Sequence, residues 1–212
     1  VFLLAGYPDP PGLLARMSAA GVGRVVLLPT SAVVNGSLDN CVVRFNVVSE
    51  AAVQDSGLAW TVLRPSGFMS NALRWAAQLR AGDTVREPFA DVPTAVIDPA
   101  DIAAVAVRAL TEDGHGGRSY RLTGPQALLP AERVALLSEA LGRDLRFEGL
   151  PDDVARREMS TSMPGPLADA FFEFSRAGTY RDDEVGDQAP ALLGRPLRTF
   201  TSWARAHAGA FG

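Results

Sequence analysis

Short apolar runs alternate with amphipathic segments through the first half of this chain, and no other feature restricts its fold as much. Phe2–Ala5, Arg24–Leu28 (RVVLL) and Leu58–Leu63 are too short for helices and too evenly apolar for strands with one wet face. Between them lie segments with helical spacing. Asp9-Pro10 reads as a cap followed by proline at the first helical position, and Leu13, Leu14, Met17 and Ala20 then share a face up to Gly21. A longer helix is predicted over residues 40–56, with Val43, Val47 and Ala51 inward and Gly57 as its stop. Another runs from about Ser70 to Arg80, stopping near Gly82. After a fourth short strand at Thr94–Ile97, Asp98-Pro99-Ala100-Asp101 opens a helix that reaches about Leu110. Strands buried on both faces need helices on both faces, so the pattern predicts an α/β fold with a doubly wound parallel sheet.

The rest of the chain has a different character. Arg118–Leu122 reads as a strand ended by Thr123-Gly124-Pro125, Pro130–Leu141 as a helix closed by Gly142, and Leu145–Glu148 as a short strand. Residues 151–212 are mostly helical in pattern, interrupted by Met163-Pro164-Gly165-Pro166 and by the polar run 181–188, and the last helix carries Phe200, Trp203, Ala204 and His207. This predicts a smaller, mostly helical C-terminal lobe. The expected division is 1–125 for the sheet domain and 126–212 for the lobe, with 66–95 contributing to the cleft between them.

Composition narrows the function. A net charge of -4 over 212 residues leaves no basic footprint for nucleic acid. Arg156-Arg157 is flanked by acids and reads as a solvated helix face. No apolar run has the roughly 20 residues that a bilayer span needs. The single cysteine, Cys41, excludes an internal disulfide, fits a reducing cytoplasm and sits in an apolar helix pattern that gives it a packing role. His115 and His207 stand far apart without ligand-spaced partners, so no metal site is expected.

The segment 57–71, GLAWTVLRPSGFMSN, is where chemistry is expected. In an open α/β sheet, ligands sit beyond the carboxyl ends of the strands. Here a buried strand stops at Arg64-Pro65, because proline has no N–H with which to continue a ladder. Gly67 then permits a close approach to something planar. Two familiar devices are missing. No glycine fingerprint of a dinucleotide fold follows the first strand, and none of Tyr7, Tyr120 and Tyr180 is followed by lysine at the spacing of a Tyr-x-x-x-Lys pair. The chain has no lysine; all 20 cationic residues are arginine, which does not give up a proton.

GLAWTVLRPSGFMSN resembles the SGL-x-T-x-LRP-x-x-F-x-N segment of NmrA-like, atypical short-chain dehydrogenase/reductases. The order of further motifs agrees. Phe2-Leu3-Leu4 is similar to that family's fourth Rossmann strand and GVGRVVLLPTSA to its fifth. Ser49-Glu50 to Ser56-Gly57 resembles the following helix, and Asp98-Pro99-Ala100-Asp101-Ile102-Ala103 the D-x-x-D-I-A helix start. HGGRSYRLTGPQALLPAERVALLSEALGR resembles the G-x-x-Y-x-L-T-G strand and helix, and Leu192-Leu193-Gly194-Arg195-Pro196 the end of NAD(P)H:quinone oxidoreductases of this type. The resemblance implies a Rossmann-like sheet that is N-terminally incomplete in this sequence, with on the order of 75 residues of the nucleotide-binding half outside it.

The resemblance also implies roles. Asn46 and Ser31 would serve catalysis, Asn46 where relatives place a lysine or histidine facing the nicotinamide. Gly6, Tyr7, Pro29, Thr30, Pro65, Ser66, Gly67 and Phe68 would bind cofactor, and Met69, Asn71 and Trp75 would face substrate. The cofactor would be NADP or NAD. The activity would be hydride transfer to a quinone-like or other small carbonyl substrate in the cytoplasm, with no metal, nucleic-acid or membrane partner and with room for a homodimer. An asparagine orients a carbonyl through hydrogen bonds but supplies no proton. Quinones need little enzymic acid, which fits the missing Tyr/Lys pair. The same absence fits the alternative, a non-catalytic NAD(P)-sensing regulator of the NmrA type.

Overall fold

Strands that are apolar on both sides must be covered on both sides, and the main sheet meets that condition. The computed structural model describes residues 1–34, 36–176 and 182–212; Asn35, Tyr180 and Arg181 of the segments discussed above lie outside them. Four parallel strands run in the order β1 (Phe2–Leu4), β2 (Arg24–Leu28), β3 (Ala59–Pro65) and β5 (Arg118–Leu122). Their register is continuous, with Val26 opposite Thr61 and Leu63 opposite Tyr120. Side chains alternate across it. Val25, Leu27 and Val62 pack on one face with Leu14 and Val53 of the helices α1 (Pro10–Ala19) and α2 (Cys41–Asp55). Val26, Leu63 and Leu122 pack on the other with Ile102, Val105 and Ala109 of α4 (Pro99–Thr111). The doubly wound α/β reading is correct.

The helix starts follow the caps. The Asp9 carboxylate accepts from the Gly12 N–H at 2.9 Å, Asn40 Oδ1 accepts from Val42 and Val43, and Asp98 Oδ1 accepts from Ala100 at 2.8 Å. Each satisfies a donor that the first turn would leave orphaned. α5 (Pro130–Leu141) ends at Gly142, whose φ of 63° is the left-handed conformation that glycine adopts without strain.

Three predicted elements need correction. β3 extends to Pro65, which pairs with Leu122; the missing N–H does no harm on the last rung, because the next donor, Ser66 N–H, takes the Leu122 carbonyl at 2.9 Å. Thr94–Ile97 is not a strand. It is a buried connection that makes only two single-residue bridges, Thr94 to Leu128 and Ile97 to Phe68. The helix expected from Ser70 begins as a 3-10 helix over Met69–Trp75 and becomes α3 only at Ala76–Ala81.

The second unit is built around β4 (Thr84–Glu87), paired in parallel with β6 (Arg146–Gly149). Its core holds Trp75, Leu79, Val85, Val134 and Leu137 together with Phe200 and Trp203 of α9 (Phe200–Ala206). The helices α6 (Asp152–Ser162) and α7 (Gly165–Arg176) form a small layer of their own over Leu150. The last part of the chain returns to the sheet. Ala189 of α8 (Gln188–Leu193) joins the α4 face, and the fully buried Asp101 accepts from Arg195 at 2.7 Å and from the Arg198 N–H at 2.8 Å.

Candidate active site

A cavity of about 890 Å³ lies at the carboxyl ends of β1, β2 and β3. That is the edge where open parallel sheets bind ligands, and the volume is in the range of small-molecule sites. Leu4 and Ala5, then Pro29 and Thr30, then Pro65 to Phe68 form its sheet side. The opposite wall comes from the second unit, including residues 86–89, Arg133 at the start of α5, and the methionines Met159 and Met163.

β3 and α2 are joined where it matters. Arg64 grips Glu50 with Nε to Oε1 at 3.0 Å and Nη2 to Oε2 at 2.6 Å, a fork that fixes planar geometry. One turn earlier on α2, Asn46 lines the cavity. Its Nδ2 donates to the Val42 carbonyl at 2.8 Å, which leaves its second N–H and its oxygen for a ligand.

Of the residues expected in the site, Pro29, Thr30, Asn46, Pro65, Ser66, Gly67, Phe68 and Asn71 come together on this cavity. Gly6 and Tyr7 follow the lining residues Leu4 and Ala5 but are not in the wall; Gly6 instead donates its N–H to Ser49 Oγ at 3.2 Å. Ser31 is buried, and its hydroxyl donates to Asp182 Oδ1 at 2.9 Å rather than pointing into the cavity. The other oxygen of Asp182 accepts from Gly67 N–H at 3.1 Å, so this carboxylate staples the loop after β2 to the loop after β3. The close approach at Gly67 is a different one from that expected. A Cβ there would stand 3.0 Å from Thr94 Cγ2 and 3.4 Å from Val96 Cγ1, so the neighbour is the protein's own 94–96 segment. Ser66 Oγ is likewise committed, to the Ala95 carbonyl.

Met69 and Trp75 do not face substrate space. Both are core residues, 1% and 0% exposed. The 3-10 geometry is the reason. A period of three residues puts Met69, Ala72 and Trp75 on one side, facing the core. The same period turns Phe68, Asn71 and Arg74 toward the cavity.

The polar constellation that sequence reading missed lies on the opposite wall. Glu87 ends β4 and is 3% exposed. It accepts from Trp75 Nε1 at 2.9 Å and from Arg74 Nε at 3.3 Å, and it forms an ion pair with Arg74 Nη2. Arg133 is 7% exposed and lies over the Trp75 ring, 5.8 Å from its centroid. Burial lowers the Arg133 pKa to about 10. Burial, with the nearby Arg133 charge, also lowers that of Arg74 to about 10, although half of the Arg74 side chain opens onto the cavity. A signal was available for Arg133. It falls on the apolar stripe of α5 with Val134 and Leu137, a cation where spacing calls for a hydrophobe. Phe89, also on this wall, has a φ of 56° and meets Phe172 edge-on at 4.9 Å. Nothing in the sequence marks that conformation.

The turn after β1 is no phosphate cradle. Asp9 occupies the N-terminus of α1, so a carboxylate already takes the N–H group that an anion would seek there. Among the described residues no cluster of His, Cys, Asp or Glu is arranged to hold a metal. No helix among them is long and apolar enough to cross a membrane.

No family model matches the chain. It is 42% identical over 215 residues to the (4-alkanoyl-5-oxo-2,5-dihydrofuran-3-yl)methyl phosphate reductase of Streptomyces griseus, covering 100% of this chain and 76% of that protein. It is 43% identical over 166 residues to the NAD(P)H azoreductase of Xenophilus azovorans, covering 77% of this chain and 58% of that protein. Among solved structures, the NADPH-dependent quinone oxidoreductase QOR2 of Escherichia coli, complexed with NADPH, superposes with a TM-score of 0.78 at 23% identity, over 97% of this chain and 75% of that one. At that identity the likeness is one of fold.

Proposed function

The chain belongs to the NmrA-like, atypical short-chain dehydrogenase/reductase family of NAD(P)H-dependent oxidoreductases, and on that premise we propose that it reduces a small quinone-like or other conjugated carbonyl substrate in the cavity at the carboxyl edge of the sheet. The observation that carries this reading is the convergence of Pro29 and Thr30 after β2, Asn46 on α2 and Pro65–Phe68 at the end of β3 on one cavity of about 890 Å³. That volume accommodates a nicotinamide ring and a flat substrate side by side.

The wall suits the nicotinamide end of a dinucleotide. Pro29, Pro65 and Phe68 offer flat apolar surface, with Thr30 and the free amide groups of Asn46 as the polar points. When bound, the dihydronicotinamide supplies the hydride. The chain's own residues hold the reacting rings in contact, which is catalysis by positioning. Asn46 orients the ring or the substrate oxygen. The described residues place no lysine, tyrosine or histidine on the cavity wall, so the substrate must be one whose reduced oxygen takes its proton from water.

In this reading residues 1–125 supply the cofactor side and 126–212 the substrate lobe, with 66–95 crossing between them. The protein works in the cytoplasm, and self-association as a homodimer is compatible with it. The test is oxidation of NADPH and NADH by the purified full-length protein with a panel of neutral quinones. Quinone-dependent oxidation is the expected result. Tight NADPH binding without turnover of any acceptor would refute the enzymatic reading and favour a sensor.

A further inference from the structure

The cavity wall contains a buried cation that has no counterion among the described residues. Arg133 is 7% exposed, its Nε is sealed from solvent with no hydrogen-bond partner, and among the described residues its guanidinium makes no ion pair. A fixed arginine left in this state is costly unless something completes it, because guanidinium carries five donors and loses its hydration on burial. The carboxylates that line the cavity are already engaged. Glu87 serves Arg74 and Trp75, Asp182 serves Ser31 and Gly67, and Glu158 serves Arg86. Arg74 stands close enough for the two guanidinium groups to repel, yet only one carboxylate, Glu87, lies between them and neutrality. The cluster of Arg74, Arg133 and Glu87 therefore carries one uncompensated positive charge. Its accessible side is the cavity.

We propose that Arg133, with Arg74 beside it, forms an oxyanion subsite on the lobe side of the cavity, which takes a phosphate, sulfonate or carboxylate group carried by the substrate. A planar guanidinium matches the two oxygens of such a group, and the Trp75 ring, with its centroid 5.8 Å from the guanidinium carbon, adds a cation–π contact on one side. The sheet side of the cavity is apolar around Pro29, Pro65 and Phe68, so a bound molecule would lay its flat ring there and its anion on the opposite wall. The proposal rests on the reductase reading for what occupies the rest of the cavity. An oxyanion could also come from the cofactor's own phosphate, and the experiment separates the two sources.

The test measures binding, so it does not depend on turnover. Naphthalene-2-sulfonate, 2-naphthol and NADP⁺ are each titrated calorimetrically into the full-length protein and into the variants Arg133→Met and Arg133→Lys. The sulfonate is expected to bind better than the naphthol. Arg133→Met is expected to reduce that preference by roughly 10- to 100-fold, the range of a charge-assisted hydrogen-bonded contact, and Arg133→Lys to retain part of it. Thermal melting of both variants checks the fold. Equal affinity of the wild type for sulfonate and naphthol, or an equal loss of both in the folded variants, would overturn the proposal. Loss of NADP⁺ affinity with the sulfonate preference intact would overturn it in favour of a cofactor-phosphate site. A protein that binds the sulfonate through Arg133 but reduces no quinone would leave the subsite standing and remove the enzymatic reading.

Discussion

Replacing Glu87 tests the description of the cavity wall most severely. Glu87 is 3% exposed and is the shared acceptor of the Trp75 indole at 2.9 Å and the Arg74 guanidinium. Glu87→Ala leaves a buried indole N–H without a partner, which costs about 1–3 kcal/mol. It also breaks an ion pair; removing one partner of a fully buried pair costs roughly 3–5 kcal/mol. Arg74 is 55% exposed and can recover water, so only a fraction of that second figure applies here. The expected total is about 3 kcal/mol for Glu87→Ala. Glu87→Gln keeps an acceptor for the indole and should lose about 1–2 kcal/mol. Urea unfolding followed by tryptophan fluorescence reads this as a lower midpoint at unchanged slope. In a melting experiment about 3 kcal/mol corresponds to a fall of roughly 6–12 °C for a chain of this length. The cycle with Arg133→Met sharpens the test. If Glu87 offsets two neighbouring cations, Glu87→Gln should cost less once Arg133 is gone, with a coupling of at least about 0.5 kcal/mol. A loss under about 0.5 kcal/mol for Glu87→Ala, or strict additivity in the cycle, would refute the charge cluster as described.

Two further outcomes are expected. Asn46→Ala should lower turnover about threefold to tenfold with cofactor affinity nearly unchanged, since it removes one orienting hydrogen bond; steady-state kinetics with NADPH and a neutral quinone measures it, and an unchanged rate would leave Asn46 as a helix residue bonded to Val42. Gly124→Ala should destabilise by about 1–3 kcal/mol in urea unfolding, because a Cβ there would lie 1.8 Å from the Val96 carbonyl oxygen, which is backbone and can move only with the 94–97 segment.

How much of this was legible in the sequence depends on how local the signal is. β1, β2, β5 and the helices α1, α2, α4 and α5 were readable because apolar runs and end signals lie within a few residues: Asp9, Asn40 and Asp98 cap by their own side chains, and Gly142 terminates by its own backbone. β4 was not readable. Thr84–Glu87 buries only Val85 and Glu87, so its alternation contains a single hydrophobe, and the acid in phase with it reads as solvent-facing. Thr94–Ile97 gave the opposite error. Its β-branched, apolar composition suits a strand, but the burial it reports comes from packing between the two units, not from a ladder.

The candidate site divides in the same way. The half on the sheet was legible because its location follows from topology: whatever the residues after β2 and β3 are, they stand at the ligand-binding edge. Which of them turn inward was not legible, because that depends on a helix period. A 3.6-residue period and a 3-residue period disagree by about one residue's rotation within two turns, enough to move Trp75 from the cavity side to the core. The half on the lobe depends on contacts far apart in sequence. Glu87 acquires its meaning only from residues 12 and 13 positions before it, and Asp182 from Ser31, 151 positions away. Arg133 was the exception. A cation on the buried stripe of α5, between Pro130 and Val134, signals by itself that something outside the core must face it. Such a residue is therefore better evidence for a binding wall than the aromatic ones. Trp75 satisfies its only polar group within the protein, whereas Arg133 does not.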